Sequence, residues 1–195
     1  MAKKDTTHRT LIETAFGLAA TMPWRDVNMA SIADHAGIPL VEALASYPDK
    51  NAILDAAIAD VSVKAMAECA AFTEDDTVRD RLFALLMARF DAMAPYRDGA
   101  ASIARGVACD PVALIFRIPH AMAAMAQMLE AAGVDSSGLI GAIRTKGLTL
   151  IFASSVRVWL DDETEDLGPT MAALDRYLGR ADMLARQLCR VPETP

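Results

Sequence analysis

Apolar residues recur every three or four positions along nearly the whole chain, and Gly and Pro mostly fall between those stretches. A chain patterned this way buries one face of each segment as a helix, and it offers no alternating run for a half-buried strand. From about Thr7 to Met22, the residues Leu11, Ile12, Ala15, Phe16, Leu18 and Ala19 form one stripe. Asn28 suits the N-cap of a short helix over Met29 to Ala36, with Ile32 and Ala33 inward. Gly37 stands where a left-handed residue would end it. Pro39 suits the first turn of a third short helix, which ends near Ser46. Pro48 and Asp49 then start a longer one, with Ile53, Leu54, Ala57, Ile58 and Val61 on its inner face.

The remainder continues in the same period. Glu74 to Thr77 places acids at a helix start, and Leu82, Phe83, Leu86, Met87 and Phe90 make the stripe that follows. Pro95 and Gly99 mark a bend, and Asp110-Pro111 marks a boundary. A helix from Val112 to Ala132 should kink at Pro119 and end at Gly133. Asp135-Ser136-Ser137 is expected to cap a long helix reaching about Leu160. Asp161 to Asp166 reads as a solvated acidic connector, and a last helix runs from Pro169 to about Arg190. The expected fold class is all-α with about nine helices, divided into a module over 1–50 and a second over 51–195.

Composition removes several function classes. A chain of 195 residues can bury roughly 70% of its unfolded surface, and 53% hydrophobic with 23% charged residues is not a disordered composition. No apolar stretch reaches about 18 residues without a charge, and no apolar segment follows the basic start, so neither a membrane span nor a secretory signal is expected. Cys69, Cys109 and Cys189 are odd in number and far apart, as reduced thiols of a cytoplasmic protein would be. There is no GxGxxG, Walker, HExxH or GxSxG pattern. His8, His35 and His120 have no ligand spacing, so no catalytic residue, metal or cofactor is expected. A net charge of −7 disfavours non-specific attraction to polyanions, although a local basic patch would escape that average.

Two short helices joined through Gly37 and flanked by longer ones have the layout of a helix-turn-helix. The stretch from His8 to Ile58, with Ala15, Trp24, Ile32-Ala33, Ala36-Gly37-Ile38, Tyr47-Pro48, Lys50 and Ile53-Leu54, resembles the N-terminal domain of TetR-type transcriptional regulators. That resemblance implies DNA reading by the second short helix, for which the candidate contacts are Lys3, Lys4, Arg9, Arg25, His35 and Lys50. Yet the run after the turn is Pro39, Leu40, Val41, Glu42, Ala43, Leu44 and Ala45. Leu44 stands where the family usually places a phosphate-contacting Tyr, and no Lys or Arg lies between Arg25 and Lys50. Binding DNA requires neutralising phosphates and reading base edges. An unusual reader and a scaffold that no longer reads are therefore both open. Lys3, Lys4 and Arg9 fit either a minor-groove arm or a solvated terminus.

The TetR resemblance also implies a homodimer formed by the last two long helices and a pocket for a small apolar molecule. Gly141, Leu148, Ile151, Phe152, Val156 and Trp159 are the expected dimer residues, and Phe83, Met87, Phe90, His120, Met122, Met125 and Met128 the expected pocket. Ordinary intrachain packing is the other reading of both sets; the fold favours the dimer for the first, whereas a methionine stripe is more often plain core. Residues 80–182 are further similar to the TetR-like lipid-binding protein of ubiquinone biosynthesis, through Pro95-Tyr96, Ala132-Gly133, Thr145-Lys146, Asp161-Asp162 and Leu174-Asp175-Arg176. This second resemblance implies a lipid ligand, a hydroxylase partner and a helix-turn-helix not used on DNA. The terminal run Leu188 to Pro195 departs from that family's membrane-seeking amphipathic helix. The leading expectation is a regulator whose DNA binding responds to an apolar ligand, and the other is a lipid-binding accessory protein.

Overall fold

A computed structural model describes residues 2–69 and 72–189. The side chains of Lys3, Lys4, Leu188 and Cys189, and the whole of the terminal run 190–195, lie outside the described part. Among the described residues there are nine α-helices and no strand. They are α1 (Ala2–Thr21), α2 (Met29–Ala36), α3 (Leu40–Ser46), α4 (Lys50–Glu68), α5 (Val78–Met93), α6 (Arg97–Ala108), α7 (Pro111–Ala131), α8 (Gly138–Asp161) and α9 (Gly168–Cys189). Single turns of 3-10 helix lie at Trp24–Asp26 and Ala94–Tyr96. The chain divides into two compact units, Met1–Val63 with Ala92–His120 and Lys64–Asp91 with Ala121–Pro195.

In the first unit the helix starts and stops follow the local chemistry. Asn28 Oδ1 accepts from the Ser31 amide at 2.9 Å, while Ser31 Oγ accepts from the Asn28 amide at 3.2 Å. Two amides that α2 could not pair internally are thereby satisfied. Gly37 adopts φ +64°, which an L-residue visits only at a cost, and α2 ends there. Pro39 is not in the first turn of α3 but just ahead of it, with extended ψ. Leu11, Ala15, Ile32, Ala43 and Ile53 are fully buried together with Trp24 and Val27. Each buried Leu or Ile contributes about 1.5–3 kcal/mol.

Gly99 plays a different part from the bend expected of it. It lies inside α6 against α1, where a Cβ would run into the Phe16 carbonyl. The bend itself falls to the turn at Ala94–Tyr96, with Pro95 in it.

In the second unit Phe90 of α5 stacks on Phe152 of α8 at 5.2 Å and lies 5.7 Å from Trp159. The Arg89 guanidinium sits 5.1 Å over the Phe152 ring, and burial lowers its pKa to about 10, which leaves it charged at neutral pH. The connector at the end of α8 is exposed as expected, at Asp161, Glu163, Glu165 and Asp166, with one exception. Asp162 is 3% exposed. It accepts from the hydroxyl and amide of Thr164 and, at 2.6 and 3.0 Å, from the hydroxyl and amide of Thr170 in the first turn of α9. Burial alone would raise its pKa, but those hydrogen bonds outweigh it and hold the carboxyl down at about 2.

The start of α8 also differs from expectation. Ser137 is the N-cap but makes no side-chain cap bond. Asp135 Oδ1 instead accepts from the Ser137 amide and hydroxyl, closing a turn ahead of the helix. By length and composition α8 is apolar enough to cross a membrane, although Arg144, Lys146 and Arg157 interrupt it, so no charge-free run of about 18 residues is present there.

Candidate nucleic-acid interface

The first unit presents α3 outward. Ala43 is buried beneath it, and Leu40, Val41 and Leu44 are exposed at 42%, 80% and 42%. Glu42 is exposed beside them, as are Asp34 and His35 on α2. At the far end of α3, the Tyr47 ring is buried and its hydroxyl lies 2.9 Å from His8 Nδ1, which ties α3 back to α1. Burial raises the Tyr47 pKa, with Asp60 adding to it. The outward surface of α3 is thus apolar and acidic.

The predicted cations divide by what already holds them. Arg9 is exposed and donates to Glu13 one turn on at 2.7 Å. Arg25 stands free of the surface at 85% side-chain exposure, 3.7 Å from Asp26. His35 Nδ1 lies 2.8 Å from the Ser31 carbonyl, which leaves Nε2 outward. Lys50 is different. Its ammonium donates to the carbonyls of Trp24 and Val27 at 2.6 and 2.7 Å and lies 4.9 Å over the Trp24 ring. Burial lowers its pKa, partly offset by Asp26. The nitrogen is therefore committed to closing the Trp24–Asp26 turn, and it reaches a phosphate only by giving up those acceptors.

Two clefts open in the same unit. One, of about 580 Å³, lies between the end of α1 and α6, with Met22, Trp24, Ser102 and Cys109 among its walls. The other, of about 510 Å³, is walled by Trp24, Leu54, Asp55, Phe116, Arg117 and His120. Asp55 Oδ1 is 2.8 Å from Arg117 Nη2, and Asp55 Oδ2 is 3.4 Å from His120 Nε2. Reading the sequence missed Asp55 and Arg117. They are 62 positions apart with no motif linking them, and the one local signal was an acid next to Leu54 in an otherwise apolar stripe.

The expected pocket is not assembled as a cavity by these clefts. Phe90, Met125 and Met128 are fully buried, and Phe83, Met87 and Met122 are half-buried. His120 is exposed and belongs to the first unit, where it faces Asp55. The expected dimer residues also need correction. Leu148 and Trp159 are buried within a single chain, so neither is available to a partner. Gly141 is buried where a Cβ would strike the Ser136 backbone, so its smallness serves the entry to α8. Ile151, Phe152 and Val156 are half-buried. What α8 exposes is its opposite face, with Leu139, Ile143 and Leu150 between 62% and 79% accessible, and α9 exposes Met183 and Leu184.

No family model and no curated protein matches this chain. Its fold matches solved structures. A TetR transcriptional regulator from Nitrosomonas europaea superposes with a TM-score of 0.72 at 22% identity, over 90% of this chain and 98% of that one. A TetR regulator from Rhodococcus gives 0.59 at 16% identity, over 94% and 97%. A TetR-family regulator from Streptomyces coelicolor gives 0.56 at 18%, over 97% and 91%. The chain has the TetR-like fold. None of these three is described as a lipid-binding protein of ubiquinone biosynthesis.

Proposed function

We propose that the protein is a dimeric transcriptional regulator in which α3 enters the major groove and reads mainly by apolar contact. The observation that carries this reading is α3 itself. It follows a left-handed turn, is anchored by Ala43 and Tyr47, and projects Val41 at 80% exposure on a fold matching solved regulators over nine-tenths of the chain. Aliphatic side chains there suit thymine methyl groups, while Arg9, Arg25 and His35 supply phosphate or edge contacts. With so few cations, few counterions are released, so affinity should fall with salt on a slope of about −3 or shallower.

The exposed apolar faces of α8 and α9 support pairing of two subunits through Leu139, Ile143, Leu150 and Met183. Pairing would set the distance between the two copies of α3. Phe83, Met87 and Met122, each half-buried, are the members of the expected pocket that an apolar effector could still reach. Such an effector acts only if it binds one spacing more tightly than the other.

The decisive experiment selects genomic fragments on the purified protein at about 50 mM salt, below the physiological range. A regulator enriches one or a few palindromic sites, and Val41→Asp abolishes the enrichment. A second reading, a lipid-binding accessory protein that ignores DNA, is favoured by the acidic rim of α3 and the captured ammonium of Lys50. It gains if selection returns no site and native mass spectrometry finds a copurified lipid.

A further inference from the structure

We propose that the cleft between Trp24, Leu54 and Phe116 is a binding site for a small organic anion with a flat apolar body, such as an aryl carboxylate, held by Arg117. Its volume of about 510 Å³ suits a ring system of one or two rings. The apolar walls come from the turn before α2, from α4 and from α7, and Phe116 offers an aromatic face that is 70% exposed. Arg117 and His120 stand three residues apart on α7 and meet the cleft on one side. Asp55, opposite them on α4, holds both in place.

The charge preference follows from what is already satisfied. The charged lining of the cleft is Arg25, Lys50 and Arg117 against Asp55 and Asp110, a balance of one positive charge, and Asp55 is already paired with Arg117. Arg117 carries five N–H donors, of which its ion pair with Asp55 engages one nitrogen at 2.8 Å. His120 Nδ1 faces the Phe116 carbonyl at 3.1 Å and its Nε2 faces Asp55 at 3.4 Å, so the guest's charge is left to Arg117. The Lys50 ammonium over the Trp24 ring repels a second cation from that aromatic face. The Arg117 side chain is 15% exposed, so a charge-assisted bond to it is screened less than one at the surface. Binding is independent of whether α3 reads DNA. A response of DNA binding to the occupant, through Leu54 and Asp55 on α4, would rest on the regulator reading above.

The test uses the full-length protein without DNA, labelled at its two indole nitrogens. Trp24 lines the cleft, and Trp159 lies buried in the other unit as an internal reference. Three probes of one shape are titrated: 2-naphthoate, neutral 2-naphthamide and cationic 2-naphthylmethylamine. The expected result is that naphthoate shifts the Trp24 indole resonance but not that of Trp159, with the amide about tenfold weaker and the amine weaker still. Arg117→Gln should cost naphthoate about tenfold and bring it level with the amide. Phe116→Ala, at an exposed position that leaves folding alone, should weaken all three probes. The proposal is overturned if Trp24 does not respond at millimolar naphthoate, if the three probes bind equally, or if Phe116→Ala binds as the parent does. Should Arg117→Gln fail to fold, the charge series and Phe116→Ala still decide the matter.

Discussion

Helices α3 and α8 both hold large aliphatic side chains out to solvent, but they differ in length and in the charges around those side chains. On α3 the exposed Leu40, Val41 and Leu44 occupy a helix of seven residues beside Glu42. On α8, a helix of 24 residues, the exposed Leu139, Ile143 and Leu150 are spread over about three turns, with Arg144 and Lys146 between them and Arg157 further on. A helix of that length, with α9 beside it, can cover the roughly 800 Å² per partner that a stable interface needs. Seven residues cannot. Exposed apolar surface therefore calls for a lasting partner in α8 and suits only a small, reversible contact in α3.

The largest expected effect breaks the α8 half of that comparison. Ile143→Glu with Leu150→Glu places two carboxylates in the proposed subunit contact, and sedimentation velocity should show monomer at concentrations where the parent is dimeric. An unchanged mass would assign the face to some other contact. The same measurement on Val41→Glu should show no change.

Next in size is the clamp at the end of α8. Asp162→Ala should destabilise the fold by about 2–3 kcal/mol in urea unfolding, because it strips acceptors from Thr164 and Thr170 at a buried position. The pH dependence has a definite sign. A carboxyl held at about 2 in the folded chain and near 4 in the unfolded one stabilises fully above pH 4, and that contribution is lost as pH falls toward 2. If Asp162→Asn loses stability over that window as steeply as the parent, some other carboxyl is responsible.

Lys50→Ala should cost about 1–2 kcal/mol of stability, since the carbonyls of Trp24 and Val27 lose their donor. Arg9→Ala and Arg25→Ala should leave the urea midpoint unchanged, as the loss of exposed ion pairs does. On DNA the order reverses, with Arg25→Ala reducing the salt slope by about one unit. The smallest effect sharpens the α3 half. Val41→Lys should leave stability within about 0.5 kcal/mol and strengthen DNA binding whatever the sequence, as read by a gel shift on random duplex.

The path of the backbone was legible in the sequence because its signals are local. Asn28 with Ser31, Gly37, the acids before α5 and Gly133 each act within one turn of where they stand, and all match observed helix ends. The candidate sites were much less so. Lys50 is a candidate DNA contact through the TetR resemblance, and nothing nearby in sequence shows that two carbonyls some 25 residues earlier take its ammonium. Trp159 and Leu148 are expected at the interface through the TetR resemblance, which pairs the last long helices, whereas α8 has apolar residues on two faces and these two lie on the buried one.

The sequence by itself determined an all-helical chain with a turn-linked pair of short helices, since helix period and capping are properties of neighbours along the chain. Which apolar face is spent inside, which cation is already held and which acid meets which base depend on side chains brought together from distant segments. Asp55 with Arg117 and Asp162 with Thr170 are such meetings, and only the tertiary structure decided them.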